Sequence, residues 1–469
     1  MRRKSLYVCL LSACILFAVV NVFPAFAQAP AEPAAGSTLY VPLVQGGTFV
    51  PGDPLVGNGA VTRTSLTYDD LMNSTASALV DNSAFALPTN AAMPTHQFQG
   101  RLTLATETSS GQDVLHDPYG YNVYPGVRHL RTVDFRFVQN GSHLIPVEQG
   151  LSYTGSAFWN YIVGPGRIWR ENGDNGYSRI SFPFALVEYN QNCVHNGTMM
   201  LLFNGSSVSS VRYQIVQEGC AYLKFNQWGR WSANYTAETI ANAATLQVEH
   251  ANEVANRLPI RPFEQLATDY PDSGVDLTAY EKSISDMTTY GLYVDGKHYR
   301  SGCETRYGEY PFCEDIRLPS FSTAKSLMAG MAFMRLGQKY GTGVSNLLVK
   351  DYVSEWDDPY VNGKWDTVTF NNVIDMATGN YQDPDFEVDE FQYSDDFLAA
   401  VSYAEKIKPR SNFQIKPRRA RFGIITPPIR LSSRAPCTII CRAARGTART
   451  FSTWCAIKSS NRSNSARAL

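Results

Sequence analysis

Short runs of alternating apolar and polar residues, separated by turn residues, fill most of the N-terminal half of the chain. In Leu130–Val138, for example, the side chains of Val133, Phe135 and Phe137 fall on one side of an extended backbone. A period of two is typical of strands with one buried face, and clusters of Gly, Asn and Pro between the runs are typical of tight turns. The pattern predicts an all-β N-terminal domain, a β-sandwich over residues 37–235.

This region is rich in aromatic residues, among them Trp159, Trp169, Trp228 and Trp231. Two interpretations fit them. They could form a carbohydrate-binding face, or they could pack in the core and across strands. Packing is the commoner use of aromatic residues in strands, so we favour it.

The first 27 residues have the three parts of a secretory signal peptide. These are a basic start (Arg2–Lys4), a mostly apolar core (6–23) and a small-x-small cleavage site (Ala25–Ala27). Lipoprotein processing at Cys14 and a retained membrane anchor are the alternatives, and the early position of Cys14 and the short apolar span disfavour them. A Pro/Ala linker follows at 28–36. The protein is therefore expected to be secreted or periplasmic.

Export places cysteines in an oxidising compartment, where an even number favours disulfides. Four lie in the expected globular part, and the simplest pairing is Cys193–Cys220 and Cys303–Cys313, although four cysteines allow three pairings. A zinc site is the alternative. It is disfavoured because no Cys or His pair has ligand spacing, and no metal is expected.

A helical apolar spacing from Thr236 to Leu258, ended by Pro259, predicts a bridging segment at 236–262. Leu277–Met287 is predicted to be a second helix. Tyr290–Tyr299 is predicted to be a hairpin with Asp295-Gly296 at its turn.

Leu318–Gly337 has the apolar spacing of a helix, with Ser322 in the first turn and Lys325 one turn later on the same face. A serine hydroxyl becomes a nucleophile when a base takes its proton, and a lysine can do so where its neutral form is favoured. We therefore predict a nucleophile–base pair. The alternative is an exposed lysine on an amphipathic helix. Apolar residues nearly all round the helix, with Gly330 in its middle, predict that it is buried and closely packed.

Together with Trp365–Tyr381, this stretch resembles the serine β-lactamase and penicillin-binding-protein superfamily, in its class C β-lactamase, DD-peptidase and esterase branch. The matching residues are the S-x-x-K of Ser322 and Lys325, Val368–Phe370 and Met376–Gly379. The resemblance implies that Ser322 is the acylated nucleophile and Lys325 its general base. It also implies an α+β domain, here partial, over residues 263–405.

Two further features of that superfamily are weak or missing. Its proton-shuttling tyrosine is matched only by Tyr393, in a Tyr-Ser-Asp sequence where the family has Asn in place of Asp. No Lys-Thr-Gly or His-Thr-Gly strand, which helps form the oxyanion hole, follows Ser322. The serine-β-lactamase-like domain is therefore expected to be incomplete.

Residues 406–469 contain fifteen Lys or Arg and no Asp or Glu, although the whole chain has a formal net charge of only −1. One interpretation is a basic arm for nucleic acid or an anionic membrane. The other is a reading frame that slipped near Lys406 and replaced the true C-terminal part. An exported protein does not normally meet nucleic acid, so we favour the shifted reading frame. We therefore expect a disordered tail without strand or helix periodicity.

These observations predict an exported serine hydrolase that acts through an acyl-enzyme on Ser322, impaired by the missing motifs. Its partner would be a small-molecule or peptidoglycan-type acyl substrate, with no nucleic acid, membrane or cofactor. A non-catalytic penicillin- or cell-wall-binding protein and a purely structural β-sandwich are the alternatives. His116, Asp117 and His195 are expected to be ordinary loop residues.

Overall fold

The computed structural model describes residues 55–189, 192–274, 276–277, 287–353, 365–381 and 402–406, with further strands at 416–417, 437–443 and 453–459. The chain divides into two compact units between Pro319 and Ser320. No helix in the described residues has the length and hydropathy needed to cross a bilayer.

Strands dominate the described part of the first unit, and the expectation of a mostly β fold is confirmed. They are β1 (Gln99–Leu104), β2 (Glu107–Thr108), β3 (Gly111–His116), β4 (His129–Leu130), β5 (Val133–Asn140), β6 (His143–Pro146), β7 (Trp159–Val163), β8 (Gly166–Arg170), β9 (Ser178–Glu188), β10 (Val194–Phe203), β11 (Val211–Gly219), β12 (Lys224–Trp231) and β13 (Ala233–Ala237). All but β2 and β4, which pair with each other, join one antiparallel sheet. Its order is β13-β1-β5-β6-β8-β9-β10-β11-β12-β3, with β7 also pairing with β9.

Burial along the strands follows the sequence pattern only in part. In β5, Val133, Phe135 and Phe137 are buried and Asp134 is exposed, as the alternation predicts. In β9 and β10, by contrast, every residue is buried. A strand buried throughout its length must be covered on both faces of the sheet.

One face is covered because the sheet curves around an interior. The ring centroid of Phe203 in β10 lies 4.8 Å from that of Phe98, just before β1, and 4.9 Å from that of Tyr235 in β13. The rings of Phe137 in β5 and Phe182 in β9 are 5.1 Å apart. Strands from one end of the sheet order thus pack against its middle and share one apolar core. The division into two facing sheets of a sandwich stays a prediction.

The other face of the central strands is covered by residues 55–95. Phe85 of this segment shares an apolar core with Met200 of β10. Gln214 of β11 holds the segment's backbone, because its side chain accepts a hydrogen bond from Val80 N at 2.9 Å and donates one to Val80 O at 2.7 Å. The segment is therefore fixed by both apolar and polar contacts.

Pro183 lies inside β9, a position where proline usually breaks a ladder of hydrogen bonds. On one side β9 pairs with β10 along its length, and on the other it pairs first with β8, up to Ser181, and then with β7, from Phe184. Pro183 falls at the change of partner, where its carbonyl accepts from Gly164 N at 3.0 Å. The proline is tolerated because it sits where the pairing on that side is already interrupted.

A buried charge network joins the sheet to its covering segment. Arg179 of β9 is fully buried and donates to Asp174 at 2.5 and 2.9 Å and to Leu66 O at 2.6 Å. Glu171 accepts two hydrogen bonds from Arg63, at 2.6 and 2.7 Å. Burial raises the pKa of Asp174 although Arg179 opposes it. Burial acts likewise on Glu171, but the hydrogen bond from Arg63 and the charges of Arg179 and Arg63 outweigh it, so the pKa of Glu171 is lowered.

Both predicted disulfides are present and confirm the simplest pairing. Cys193–Cys220 has a Cα–Cα distance of 4.6 Å and ties the start of β10 to the end of β11. Cys303–Cys313, at 5.5 Å, closes a loop close to the end of the first unit. The described residues contain no cluster of His, Cys, Asp and Glu that could hold a metal ion.

The rest of the first unit contains short elements. The helices are α1 (Tyr68–Met72), α2 (Pro125–Arg128), α3 (Ala243–Ala255) and α4 (Gln265–Asp269). The strands are β14 (Ile260–Pro262), β15 (Gly291–Val294), β16 (Lys297–Arg300), β17 (Glu304–Thr305) and β18 (Gly308–Glu309). The hairpin predicted at 290–299 is confirmed as β15–β16, with positive φ angles at Asp295 and Gly296.

The helix predicted from Thr236 starts later, because β13 occupies its first residues and pairs with β1. The helix predicted at Leu277–Met287 lies almost entirely outside the described residues.

The observed boundary at Pro319 also differs from a domain starting at residue 263. Residues 287–319 belong to the first unit, and several of them bond to its large sheet. The hydroxyl of Tyr310 donates to Gly197 O at 2.9 Å, and Arg306 pairs with Glu218.

The second unit is described in separate segments. Its helices are α5 (Gly330–Tyr340), α6 (Phe370–Ile374) and α7 (Tyr403–Lys406). Its strand pairs are β19 (Asn380–Tyr381) with β20 (Lys416–Pro417), and β21 (Cys437–Ala443) with β22 (Thr453–Ser459). The last pair differs from the expected tail without strands, and β-branched Thr438, Ile439 and Ile440 give β21 a high strand propensity. The α+β organisation expected of this region stays a prediction.

The buried charge network generates a stability prediction. Replacing Arg179 by Met should lower the free energy of unfolding by about 3–5 kcal/mol, because it leaves the buried carboxylate of Asp174 without its partner. Urea unfolding monitored by circular dichroism measures the change.

The matched control is Arg101→Met. Arg101 forms ion pairs with Asp134 and Glu238 at the partly exposed edge of the sheet, and surface pairs contribute about 0–1 kcal/mol. Equal losses in the two variants would contradict a stabilising role for the buried network.

Candidate functional site

Ser322 lies in a tight turn that leads into a helix. Phe321, with φ of 43°, changes the direction of the backbone, and Lys325 N donates to Ser322 O at 3.0 Å. Lys325–Ala329 then forms a π-helical turn that continues into α5. Short π-helical segments inside helices occur frequently at functional sites.

The two residues predicted to work together are in contact. Lys325 Nζ lies 2.9 Å from Ser322 Oγ, within hydrogen-bonding distance. This separation suits proton transfer between a nucleophile and its base. Both side chains are exposed, however, and an amine acts as a base mainly where burial or nearby positive charge favours its neutral form.

The expectation that this helix is buried at the centre of a domain is wrong. Leu327, Met328, Met331 and Met334 are 52–67% exposed. Gly330 is not closely packed either, because a Cβ there would approach only Lys325 O, at 4.0 Å. An apolar helix is buried only where another element covers it. Phe333 of this helix is partly buried and packs against a small apolar core.

The second matching stretch packs against that same residue. Val368 and Phe370 are buried in a small core with Val349 and Val353, and Phe333 contacts this core. Thr369 caps α6 in a capping box with Asn372. The two segments that carry the family resemblance therefore belong to one cluster.

Other groups needed for catalysis are not assembled in the described residues. Tyr393 lies outside them. The turn at Ser322 thus brings together a hydroxyl, an amine and the N–H groups of a helix start.

His195 and His116, which were expected in loops, both lie in strands. His195 is a strand residue of β10, not the loop residue expected, and its ring stacks on Phe225 with centroids 4.3 Å apart. His195 Nε2 lies 3.0 Å from Leu223 O. His116 ends β3, and the carboxylate of Asp117 accepts backbone N–H groups of the following loop. These contacts are structural.

The preference for core packing of tryptophans is confirmed for Trp159, Trp169 and Trp231, each at most 1% exposed. A cluster of tyrosines around Tyr121, of which Tyr119 and Tyr124 are exposed, was not predicted from the sequence. They come from separate parts of the chain, so no local spacing pointed to them. The one indication of this cluster in the sequence is the stretch Tyr119–Tyr124, which has three tyrosines in six residues.

Comparison with known protein families, curated proteins and solved structures finds no match to this chain. What the chain can do has to follow from its own residues.

Burial of His195 predicts a pH effect on stability. Burial lowers the pKa of His195 from 6.5 to about 3. Between these values the unfolded chain binds a proton that the folded protein does not, so the free energy of unfolding falls with falling pH, by up to about 1.4 kcal/mol per pH unit. Denaturant unfolding at pH 7, 6, 5 and 4 measures the slope.

In His195→Gln this component of the slope should disappear. His116→Gln, at an exposed histidine that ends β3, is the matched control for replacing a histidine. An unchanged slope in His195→Gln would show that the buried imidazole does not resist protonation.

Proposed function

We propose that this protein is an exported serine hydrolase of the β-lactamase, DD-peptidase and esterase type, with Ser322 as nucleophile and Lys325 as general base. The observation that supports it is the 2.9 Å contact between Lys325 Nζ and Ser322 Oγ at the start of a helix. The substrate would be a lactam, peptide or ester of small-molecule or peptidoglycan type.

In the proposed reaction, neutral Lys325 takes the proton of Ser322 Oγ while that oxygen bonds to the carbonyl carbon of the substrate. The carbonyl becomes an oxyanion, which the N–H groups of the helix start favour. Collapse of the oxyanion breaks the bond to the leaving amine or alcohol, which receives the proton from Lys325. Water then hydrolyses the acyl ester and frees Ser322.

Turnover is expected to be slow. Preorganised oxyanion donors and a dry site account for much of the rate of such enzymes, and here both Ser322 and Lys325 are exposed. The chain also has no Lys-Thr-Gly or His-Thr-Gly sequence after Ser322.

The finer organisation belongs to the same proposal. Residues 37–235 would form a β-sandwich and 263–405 a partial α+β domain of the serine-β-lactamase type. The two disulfides support a secreted or periplasmic location after cleavage of a signal peptide at 1–27.

A non-catalytic penicillin- or cell-wall-binding protein is the second candidate. The exposed Ser–Lys pair favours it, because a serine that is acylated without an assembled site for water would keep its acyl group. The two candidates differ in whether the acyl-enzyme turns over.

Covalent labelling tests the proposal. The full chain is incubated with a fluorescent penicillin and, separately, with a fluorophosphonate, and the labelled residue is mapped by peptide mass spectrometry. We expect label on Ser322 and none in Ser322→Ala. Lys325→Met should slow labelling by about 10²–10⁴-fold, because it removes the base.

Ser326→Ala is the matched control, since Ser326 is an exposed serine next to Lys325 on the same helix and should label at the original rate. Steady-state release of p-nitrophenol from an ester, lost in Ser322→Ala, would favour the hydrolase. Label without turnover would favour the binding protein. Absence of label at Ser322 with both reagents would refute both.

A further inference from the structure

Five aromatic side chains form a surface cluster on the first unit, which we call the tyrosine patch: Tyr119, Tyr121, Tyr124, Phe158 and Tyr222. Tyr121 is at its centre. The ring centroid of Tyr121 lies 5.7 Å from those of Tyr119 and Tyr222, 5.8 Å from that of Phe158 and 6.4 Å from that of Tyr124. Three separate parts of the chain thus contribute to one aromatic surface.

One side of the tyrosine patch packs against the apolar core, and the other side is exposed to solvent. Phe158 packs on the buried Trp159, with ring centroids 4.9 Å apart. Tyr119 and Tyr124, at the other extreme, are 67% and 56% exposed. Exposed rings lose little conformational freedom when they bind, because tyrosine has few rotatable bonds.

The loop that carries three of these rings is held in one conformation. The two carboxylate oxygens of Asp117 accept hydrogen bonds from Tyr121 N and Asn122 N, both at 2.8 Å. Gly120, with φ of 68°, makes the turn between the first two tyrosines. At the other end, buried Trp159 Nε1 donates to Val127 O at 2.9 Å. The exposed rings are therefore preorganised, which reduces the entropic cost of binding.

Tyr222 is held by the first disulfide. It lies two residues after Cys220, and Leu223 N donates to the sulfur of Cys220 at 3.3 Å. Its hydroxyl donates to the carboxylate of Glu188, whose N–H in turn donates to Cys193 O at 2.8 Å. The Cys193–Cys220 bridge thus ties the loop that carries Tyr222 to the start of β10, next to the end of β9 that carries Glu188.

The chemistry of the patch selects a neutral partner. Residues 118–127 contain no charged side chain, and the carboxylates of Asp117 and Glu188 are engaged within the protein. Nucleic acids and anionic membranes require clustered Lys and Arg, which this loop does not offer. Aromatic rings that carry hydroxyl groups suit a partner with both C–H faces for stacking and hydroxyls for hydrogen bonding.

We propose that the tyrosine patch binds a neutral polysaccharide, with sugar rings stacked on Tyr119 and Tyr124. The surface belongs wholly to the first unit and is separate from the Ser322 turn in the sequence. Binding should therefore be independent of acylation at Ser322, so that either activity can fail without the other.

Affinity electrophoresis tests the proposal. The full chain is run in native gels that contain hydroxyethyl cellulose, glucomannan, arabinoxylan or soluble β-glucan, and pelleting on cellulose and chitin covers insoluble chains. We expect retardation or pelleting with at least one of these polysaccharides. Tyr119→Ala and Tyr124→Ala should each weaken binding about five- to tenfold, and the double variant should abolish it.

Tyr124→Trp should retain binding, because it keeps a stacking surface. Tyr293→Ala, at a tyrosine that is 61% exposed on β15, is the matched control, and Ser322→Ala should bind as the original chain does. Identical circular dichroism spectra verify that the variants fold.

No interaction with any polysaccharide of the panel would overturn the proposal. So would equal binding by the double variant. Concentration-dependent self-association that Tyr119→Ala removes, without polysaccharide binding, would instead assign the patch to a contact between copies of the chain.

Discussion

Strands β9 and β10 are buried at every residue, so both faces of the sheet must be covered at these strands. The rest of the first unit is arranged to provide these two layers. A sheet covers one of its own faces only if it curves, and the aromatic contacts of Phe203 and Phe182 show that it does. The second face needs a separate layer, which residues 55–95 supply. A buried charge without a partner destabilises the fold by several kcal/mol. Arg179, which is buried under that layer, is accordingly paired with Asp174.

This arrangement leaves specific chemistry for the periphery. The Cys193–Cys220 bridge lies at the ends of the central strands, next to Tyr222, and Asp117 fixes the loop that carries the exposed Tyr119 and Tyr124. The Ser322 turn is a different case. Its two side chains meet, but the helix behind them is exposed, and a reactive pair of this kind reaches high rates only inside a desolvated site. The first unit has the rigidity that binding requires, whereas the second carries the Ser–Lys pair on which the proposed hydrolase function depends.

Features of the structure that depend on residues close together in the chain could be predicted from the sequence. Alternation predicted the buried face of β5, Asp295-Gly296 predicted the β15–β16 turn, and cysteine order predicted both disulfides. The helical spacing of Ser322 and Lys325 likewise predicted their contact.

The predictions that failed concerned burial. Burial depends on which distant parts of the chain pack over a residue, and a local sequence pattern does not encode this. Apolar residues around α5 suggested burial, but a side chain is buried only if something else lies over it, and Met331 and Met334 are exposed. Continuous burial of β10 depends on a segment more than a hundred residues earlier, through Phe85. The tyrosine patch joins Tyr121, Phe158 and Tyr222, which no single window of sequence contains.

Residue-resolved native-state hydrogen exchange tests the central claim, that doubly covered strands form the stable core and the Ser322 helix stands outside it. Amides of β9 and β10 should exchange most slowly, with an opening free energy close to that of global unfolding, and amides of α5 should exchange orders of magnitude faster. Protection of α5 equal to that of β9 and β10 would contradict the account, because it would place that helix inside the same cooperative core.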